Sequence, residues 1–167
     1  MEYLPREQFF LFQFFCFQYQ FFKKEIRKKK RKIIFVGNGG SAGIASHLAI
    51  DLSKNGRIRA VCFNDASLIT CLSNDYGYEY WLSSAIKIYA DKGDVLVAIS
   101  SSGCSPNILM GVKEAKRKNM KIVTLSGFES NNPLSSSGDI NLWLDSQAYN
   151  IIETVHQFWM MSVIDLI

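Results

Sequence analysis

Residues 33–42 read IIFVGNGGSA, and this stretch decides the fold. A short apolar run, Ile33–Val36, ends in a glycine-rich turn, and the residues after the turn have the apolar spacing of a helix. The glycines let the backbone amides approach a ligand closely. Residues 95–106, VLVAISSSGCSP, repeat this pattern with a serine-rich turn, and Ser105-Pro106 is a typical helix opening.

Three further apolar runs extend the pattern outward from these two units. The predicted strands are Ile33–Val36, Ala60–Phe63, Val95–Ile99, Ile122–Leu125 and Ile140–Leu144. The predicted helices are Ser41–Ser53, Tyr78–Tyr89, Ser105–Asn119 and Tyr149–Ile167. Strands that are apolar on both faces and alternate with helices form a parallel sheet covered on both sides. The sequence therefore predicts an α/β fold, a three-layer doubly wound sandwich with a five-stranded parallel sheet.

The composition fits one globular domain with an unevenly distributed charge. Of the 167 residues 48% are hydrophobic, and the net charge is +4. Residues 1–32 hold nine basic and three acidic side chains, so the remaining 135 residues sum to −2. Four scattered cysteines predict neither a disulfide scaffold nor a zinc ribbon and favour a reducing cytoplasm. We expect a helical N-terminal extension over 1–32 and a single domain over 33–167.

The N-terminal extension joins an aromatic run, FFLFQFFCFQYQFF at 9–22, to the basic run KKEIRKKKRK at 23–32. The aromatic run is shorter than the ~20 apolar residues of a transmembrane helix. The charges follow the apolar run, whereas a secretory signal has them before it. Two alternatives remain, a helix that packs on the domain or on another subunit, and an anchor at a lipid surface. We expect the packed helix, with neither a membrane nor a nucleic-acid partner.

The chemistry of the chain is concentrated in the turns at 37–42 and 100–106, because ligands of such a sheet bind beyond the carboxyl ends of its strands. The dinucleotide fingerprint is matched only in part, and the G-K-[ST] phosphate loop is absent. Serine hydroxyls and free amides at a helix N-terminus hold a single phosphate or another small anion. The turns therefore predict a phosphomonoester that is held rather than transferred. Serines that only cap helices are the alternative.

The chain has only two histidines, and each has a carboxylate on the same helix face. His47 and Asp51 are four residues apart, and Glu153 and His156 are three apart. The pairs favour a polar site, with simple surface pairing as the alternative.

Five stretches together resemble the sugar isomerase (SIS) domain, and specifically its phosphoheptose isomerase branch. They are GNGGSA at 37–42, His47, SNDYGYE at 73–79, KGDVLVAISSSGCSPN at 92–107 and KIVTLSG at 121–127. The resemblance implies a flavodoxin-like SIS fold and a cytoplasmic homo-oligomer, either a tetramer or a dimer. It also implies conversion of sedoheptulose 7-phosphate to D-glycero-D-manno-heptose 7-phosphate for bacterial surface polysaccharide. The alternative is a non-catalytic SIS protein that binds a sugar phosphate or the replication initiator.

The resemblance further implies roles for individual residues. The substrate-binding set is Asn38, Gly39, Gly40, Ser41, Asp75, Ser100, Ser101, Ser102 and Ser105. Asp51 stands where the family has its catalytic glutamate, and the family's second acid/base, a histidine, is replaced by Met161. His156 or Glu153 would then supply the acid. Some members bind zinc at the same positions, here His47, Asp51 and Glu153, so zinc is the cofactor that the resemblance allows.

Overall fold

A computed structural model describes residues 30–165 and forms five strands and five helices over that range. The strands are β1 (Ile33–Val36), β2 (Ala60–Cys62), β3 (Val95–Ile99), β4 (Lys121–Ser126) and β5 (Ile140–Trp143). The helices are α1 (Gly40–Lys54), α2 (Ala66–Tyr76), α3 (Trp81–Tyr89), α4 (Pro106–Arg117) and α5 (Tyr149–Asp165). All strand pairs are parallel, in the order β2-β1-β3-β4-β5.

Helices cover both faces of the sheet because successive residues of its strands are buried on opposite sides. Ile33 and Phe35 of β1 belong to one apolar cluster, which α1 and α5 complete. Ile34 and Val36 belong to a second cluster, which is completed by α2, α3 and α4. The predicted three-layer sandwich is thereby confirmed.

Helix α2 is absent from the predicted set, and its sequence explains why. Leu72 is its only buried residue, so the apolar signal is weak. Its start is nevertheless encoded locally, since the Asp65 carboxylate accepts a hydrogen bond from the Leu68 N–H at 2.9 Å. The predicted helix from Tyr78 begins at Trp81 instead, after a turn in which Gly77 has a φ of 88°.

The N-terminal extension, with its aromatic run, lies almost entirely outside the described residues. Within residues 30–165, none of the helices is long and apolar enough to cross a bilayer.

In the strand order β2-β1-β3-β4-β5 the direction of winding reverses between β1 and β3, and a crevice forms there at the carboxyl edge of the sheet. The two turns singled out from the sequence follow β1 and β3.

Candidate functional site

The turns after β1 and β3 are joined by a reciprocal amide pair. Asn38 Nδ2 donates to Asn107 Oδ1, and Asn107 Nδ2 donates to Asn38 Oδ1, both at 2.9 Å. Asn107 is only 1% exposed and is the second residue of α4. The pair therefore fixes the separation of the two turns across the crevice. Sequence reasoning did not single out Asn107, although it ends the stretch KGDVLVAISSSGCSPN that carries the family resemblance.

The first turn presents the N-terminus of α1 to the crevice. Gly39 precedes the helix with a φ of 53°, which glycine adopts without strain, and no side chain caps the helix there. A Cβ on Gly37 would lie 2.6 Å from the backbone of the buried Ser41, so only glycine fits at that close approach. The Ala42 and Gly43 N–H groups donate to the Asn38 and Gly39 carbonyls, and no side chain competes for the N–H groups of Gly40 and Ser41 that precede them.

The serines of the second turn do not serve as helix caps. Ser105 precedes α4 without capping it, and its hydroxyl instead hydrogen-bonds that of Ser100 at 3.2 Å. Ser102 Oγ accepts from the Cys104 N–H at 3.2 Å, and the buried Ser101 Oγ has no hydrogen-bond partner. This arrangement disfavours the purely capping alternative and leaves several hydroxyls clustered at one helix N-terminus.

A loop after β4 supports the second turn from behind. The Gly127 N–H donates to the Ser101 carbonyl at 2.8 Å, and the Leu134 N–H donates to the Gly103 carbonyl at 3.1 Å. Asn132 braces this loop by donating to the Glu129 carbonyl at 2.7 Å. Gly103 has a φ of 65°, and a Cβ there would lie 1.8 Å from Asn132 Oδ1. The turn is therefore rigidly supported, as a preorganised anion site requires.

The SNDYGYE stretch places one of its side chains, Tyr78, against the first turn. The Tyr78 hydroxyl donates to Asn38 Oδ1 at 3.4 Å, and the ring is 58% exposed. Asp75 is exposed, and its hydrogen bonds involve Asn74 and Cys71 of its own helix. The structure thus brings Tyr78, which the sequence analysis did not select, into contact with the first turn.

The His47–Asp51 pair forms as the helical spacing predicts. His47 Nε2 lies 3.2 Å from Asp51 Oδ2, and the side chains are 48% and 25% exposed. Gln157 of α5 places its Nε2 at 3.4 Å from His47 Nδ1 and also donates to the Met161 sulfur at 3.5 Å. Gln157 was not selected from the sequence, because its partner lies on a different helix.

Glu153 packs against the start of α1. A Cβ on Gly40 would lie 2.2 Å from Glu153 Oε2, so glycine makes room for the carboxylate there. Helical rise places His47 about 10 Å further along α1 than Gly40. Glu153 therefore lies beside the first turn, on the helix that also brings Gln157 to His47.

His156 lies in the interior rather than in the crevice. It is 0% exposed, and its Nε2 donates to the Ser126 carbonyl at 3.2 Å, while Nδ1 has no partner. Burial lowers the pKa of His156 to about 4, against the opposing effect of the Ser126 hydrogen bond. A neutral ring without exposed surface does not meet a ligand, so the role of acid expected for His156 lacks the exposure it requires.

The residues expected to bind zinc do not come together as a ligand set. Among residues 30–165 no group of three or more histidine, cysteine, aspartate or glutamate residues is arranged to hold a metal ion. His47 has Asp51 on one ring nitrogen and Gln157 near the other, while Glu153 faces Gly40. The donor arrangement of His47, Asp51 and Glu153 therefore does not fit a zinc site.

Comparison with known proteins identifies related sequences. The profile of the SIS domain matches residues 24–127. A phosphoheptose isomerase from Cytophaga hutchinsonii is 46% identical over 105 residues, 60% of this chain and 55% of the relative. The same enzyme from Proteus mirabilis is 38% identical over 133 residues, 75% of this chain and 68% of the relative. The chain thus spans about half of the first relative's length and about two thirds of the second's.

Solved structures of phosphoheptose isomerases have the same fold. The enzyme from Neisseria gonorrhoeae superposes with a TM-score of 0.75 at 31% identity, covering 83% of this chain and 77% of the enzyme. The enzyme from Francisella tularensis gives a TM-score of 0.80 at 27% identity, with 90% and 82% covered.

Proposed function

Because this chain belongs to the SIS domain family, and within it to the phosphoheptose isomerases, we propose that it interconverts a ketose and an aldose phosphate. The proposed reaction converts sedoheptulose 7-phosphate to D-glycero-D-manno-heptose 7-phosphate. One observation carries the proposal. The two turns joined by Asn38 and Asn107 form a rigid anion cradle at the start of α1, and the His47–Asp51 pair lies further along the same helix.

The phosphate is proposed to bind at the cradle. Its oxygens accept hydrogen bonds from the first amides of α1 and α4 and from hydroxyls of the two turns. The proposed phosphate ligands are Ser41, Ser100, Ser101, Ser102 and Ser105, with the backbone of Asn38, Gly39 and Gly40. None of the lysines and arginines of residues 30–165 lies in these turns, so neutral dipoles carry the binding.

The distance along α1 suits a sugar of this length. His47 lies about 10 Å beyond Gly40 along the helix axis. An extended seven-carbon chain whose phosphate occupies the cradle has a comparable length, so its first two carbons reach His47 and Asp51. We propose that Glu153 and Asp75 bind the sugar hydroxyl groups that lie between the phosphate and the first two carbons.

The proton transfers are assigned to His47 and Asp51. Asp51 removes a proton from C1 of the ketose, and the electron pair forms the C1–C2 double bond while His47 Nε2–H protonates the oxygen on C2. The resulting enediol returns its O1 proton to His47, and Asp51 delivers its proton to C2, which leaves an aldehyde at C1. This assignment gives the acid role to His47 in place of His156, because His156 is buried.

Assembly and location are proposed on separate grounds. Ile50 and Phe158 are 65% and 61% exposed and neighbour the His47–Gln157 contact in sequence, so a second copy that covers them would exclude water there. We propose a homo-oligomer, dimer or tetramer.

Cys62, Cys71 and Cys104 are free thiols, which supports a reducing cytoplasm.

Turnover of sedoheptulose 7-phosphate tests the proposal. The purified chain is incubated with the ketose, and the aldose is followed by NMR, with Asp51→Asn as the inactive comparison. Formation of the aldose supports an isomerase. Tight binding of the sugar phosphate without aldose formation would instead support the non-catalytic candidate, which Met161 favours because methionine cannot transfer a proton.

A further inference from the structure

The basic side chains of the described residues gather at one edge of the sheet, whereas the twelve acidic side chains lie at both edges. The carboxyl edge and its loops carry only acidic side chains: Asp65, Asp75, Glu79, Glu129, Asp145 and Glu153. The opposite, amino edge carries twelve of the thirteen lysines and arginines of residues 30–165: Lys30, Arg31, Lys32, Lys54, Arg57, Arg59, Lys87, Lys92, Lys116, Arg117, Lys118 and Lys121. We call this second set the cationic face.

Several cations of this face are neutralised locally. Lys32 pairs with Asp91 at 2.8 Å and with Asp94 at 2.6 Å. Arg117 pairs with Glu114 at 2.7 Å, and Lys121 with Asp139 at 3.2 Å. Seven others are exposed and form no ion pair within residues 30–165: Lys30, Lys54, Arg57, Arg59, Lys87, Lys92 and Lys116. The same edge also holds Asp51, Asp91, Asp94, Glu114, Asp139 and Asp165, so its twelve basic side chains leave it with a net positive charge.

Helix termini account for only part of this pattern. Lys54, Lys87 and Lys116 lie in the last turns of helices, where cations interact favourably with the helix dipole. Lys30, Arg57, Arg59 and Lys92 lie in loops, so the dipole does not explain them. Arg57 and Arg59 also line an open groove of about 420 Å³ at the edge of β2.

The chain enters the domain at this same face. The Arg59 guanidinium donates to the Lys30 carbonyl at 2.9 Å, which places the end of the basic run 23–32 beside Arg59. The aromatic run 9–22 precedes the basic run in the sequence. Basic residues that follow an aromatic run in the sequence are typical of proteins that bind anionic lipid surfaces. Nucleic-acid binding is less favoured, because the aromatic residues precede the basic ones and do not alternate with them.

We propose that the cationic face docks on an anionic lipid bilayer, with the crevice at the opposite edge left open to solvent. This proposal is independent of the isomerase reaction. It departs from the sequence-based expectation of no membrane partner. The net charge of −2 for residues 33–167 does not reveal that the basic side chains gather at one edge of the sheet.

Vesicle co-sedimentation of the full chain tests the proposal, with phosphatidylcholine vesicles and vesicles that also contain phosphatidylglycerol. We expect binding to the anionic vesicles only, and release by molar salt. Each cation near the surface contributes roughly fivefold to partitioning, so Lys54→Gln/Arg57→Gln should lower it roughly 25-fold. These two side chains have no ion pair among the described residues, so the fold should tolerate the change.

The matched control is Asn131→Asp/Asn150→Asp, which makes the same change in net charge at exposed positions near the opposite edge. This control should partition like the wild type. Equal binding to neutral and anionic vesicles, or an unaltered Lys54→Gln/Arg57→Gln variant, would overturn the proposal. Binding to duplex DNA at a salt concentration that already releases the protein from vesicles would assign the face to nucleic acid and overturn it as well.

Discussion

Replacement of Asn107 by aspartate tests how the two anion-binding turns are held together. The change is isosteric, but aspartate cannot donate the hydrogen bond that Asn38 Oδ1 accepts at 2.9 Å. A carboxylate then faces the Asn38 carbonyl oxygen in a position that is only 1% exposed. Asn38 Nδ2 can still donate to this carboxylate, but loss of the other hydrogen bond and repulsion from Asn38 Oδ1 together cost about 3 kcal/mol. For a domain of this size the unfolding temperature should fall by roughly 6–12 °C.

The same variant should bind phosphate poorly, because the turns are released from each other and a negative charge is added beside them. We expect the Kd for inorganic phosphate, measured by calorimetry, to rise at least about tenfold, equivalent to about 1.4 kcal/mol. Asn119→Asp is the matched control, with the same charge change at an exposed residue of the amino edge. If Asn107→Asp unfolds at a lower temperature but binds phosphate like the wild type, the pair is structural only and the reasoning is refuted.

Three further changes separate binding, chemistry and stability. Gly103→Ala should lower the free energy of unfolding by about 2–4 kcal/mol, because a φ of 65° is unfavourable for alanine and its Cβ would lie 1.8 Å from Asn132 Oδ1. Denaturant titration measures this, and an unchanged midpoint would contradict it. Asp51→Asn should lower kcat by roughly 100-fold or more with little change in the Kd for phosphate. An equal fold loss in kcat and in affinity for phosphate would place Asp51 in the anion site instead. The pKa of about 4 for His156 lies below the ordinary 6.5, so the unfolded chain takes up the proton first. The free energy of unfolding of the wild type should therefore fall by roughly 3 kcal/mol between pH 6.5 and 4. That of His156→Gln should fall much less, and parallel curves of unfolding free energy against pH for the two proteins would refute this.

The sheet could be predicted from the sequence because its central strands β1 and β3 are apolar and buried at every residue. Ile33–Val36 and Val95–Ile99 match the structure residue for residue, and the other three strands differ by one residue at one or both ends. Helix α2 could not be predicted by apolar periodicity, since only Leu72 is buried on it. The Asp65 cap was the one local signal for it.

The two turns proposed to bind phosphate could be selected from the sequence, but the amide pair that joins them could not. The Asn38–Asn107 pair joins residues 69 positions apart, and Gln157 meets His47 over 110 positions. Both contacts depend on how strands and helices are arranged in space. The two histidine–carboxylate pairs have similar spacing, yet His47 is half exposed and His156 is buried. Which side of a helix faces the sheet decides between a reactive and a structural histidine.

Hydrogen exchange during turnover tests the central claim, that the cradle and the His47–Asp51 pair act together on one sugar phosphate. Sedoheptulose 7-phosphate is incubated with the protein in deuterated water, and carbon-bound deuterium is measured by NMR. We expect deuterium at C2 of the aldose and at C1 of the remaining ketose, and loss of both signals in Asp51→Asn. Binding of the sugar phosphate with no deuterium at either carbon would contradict the account.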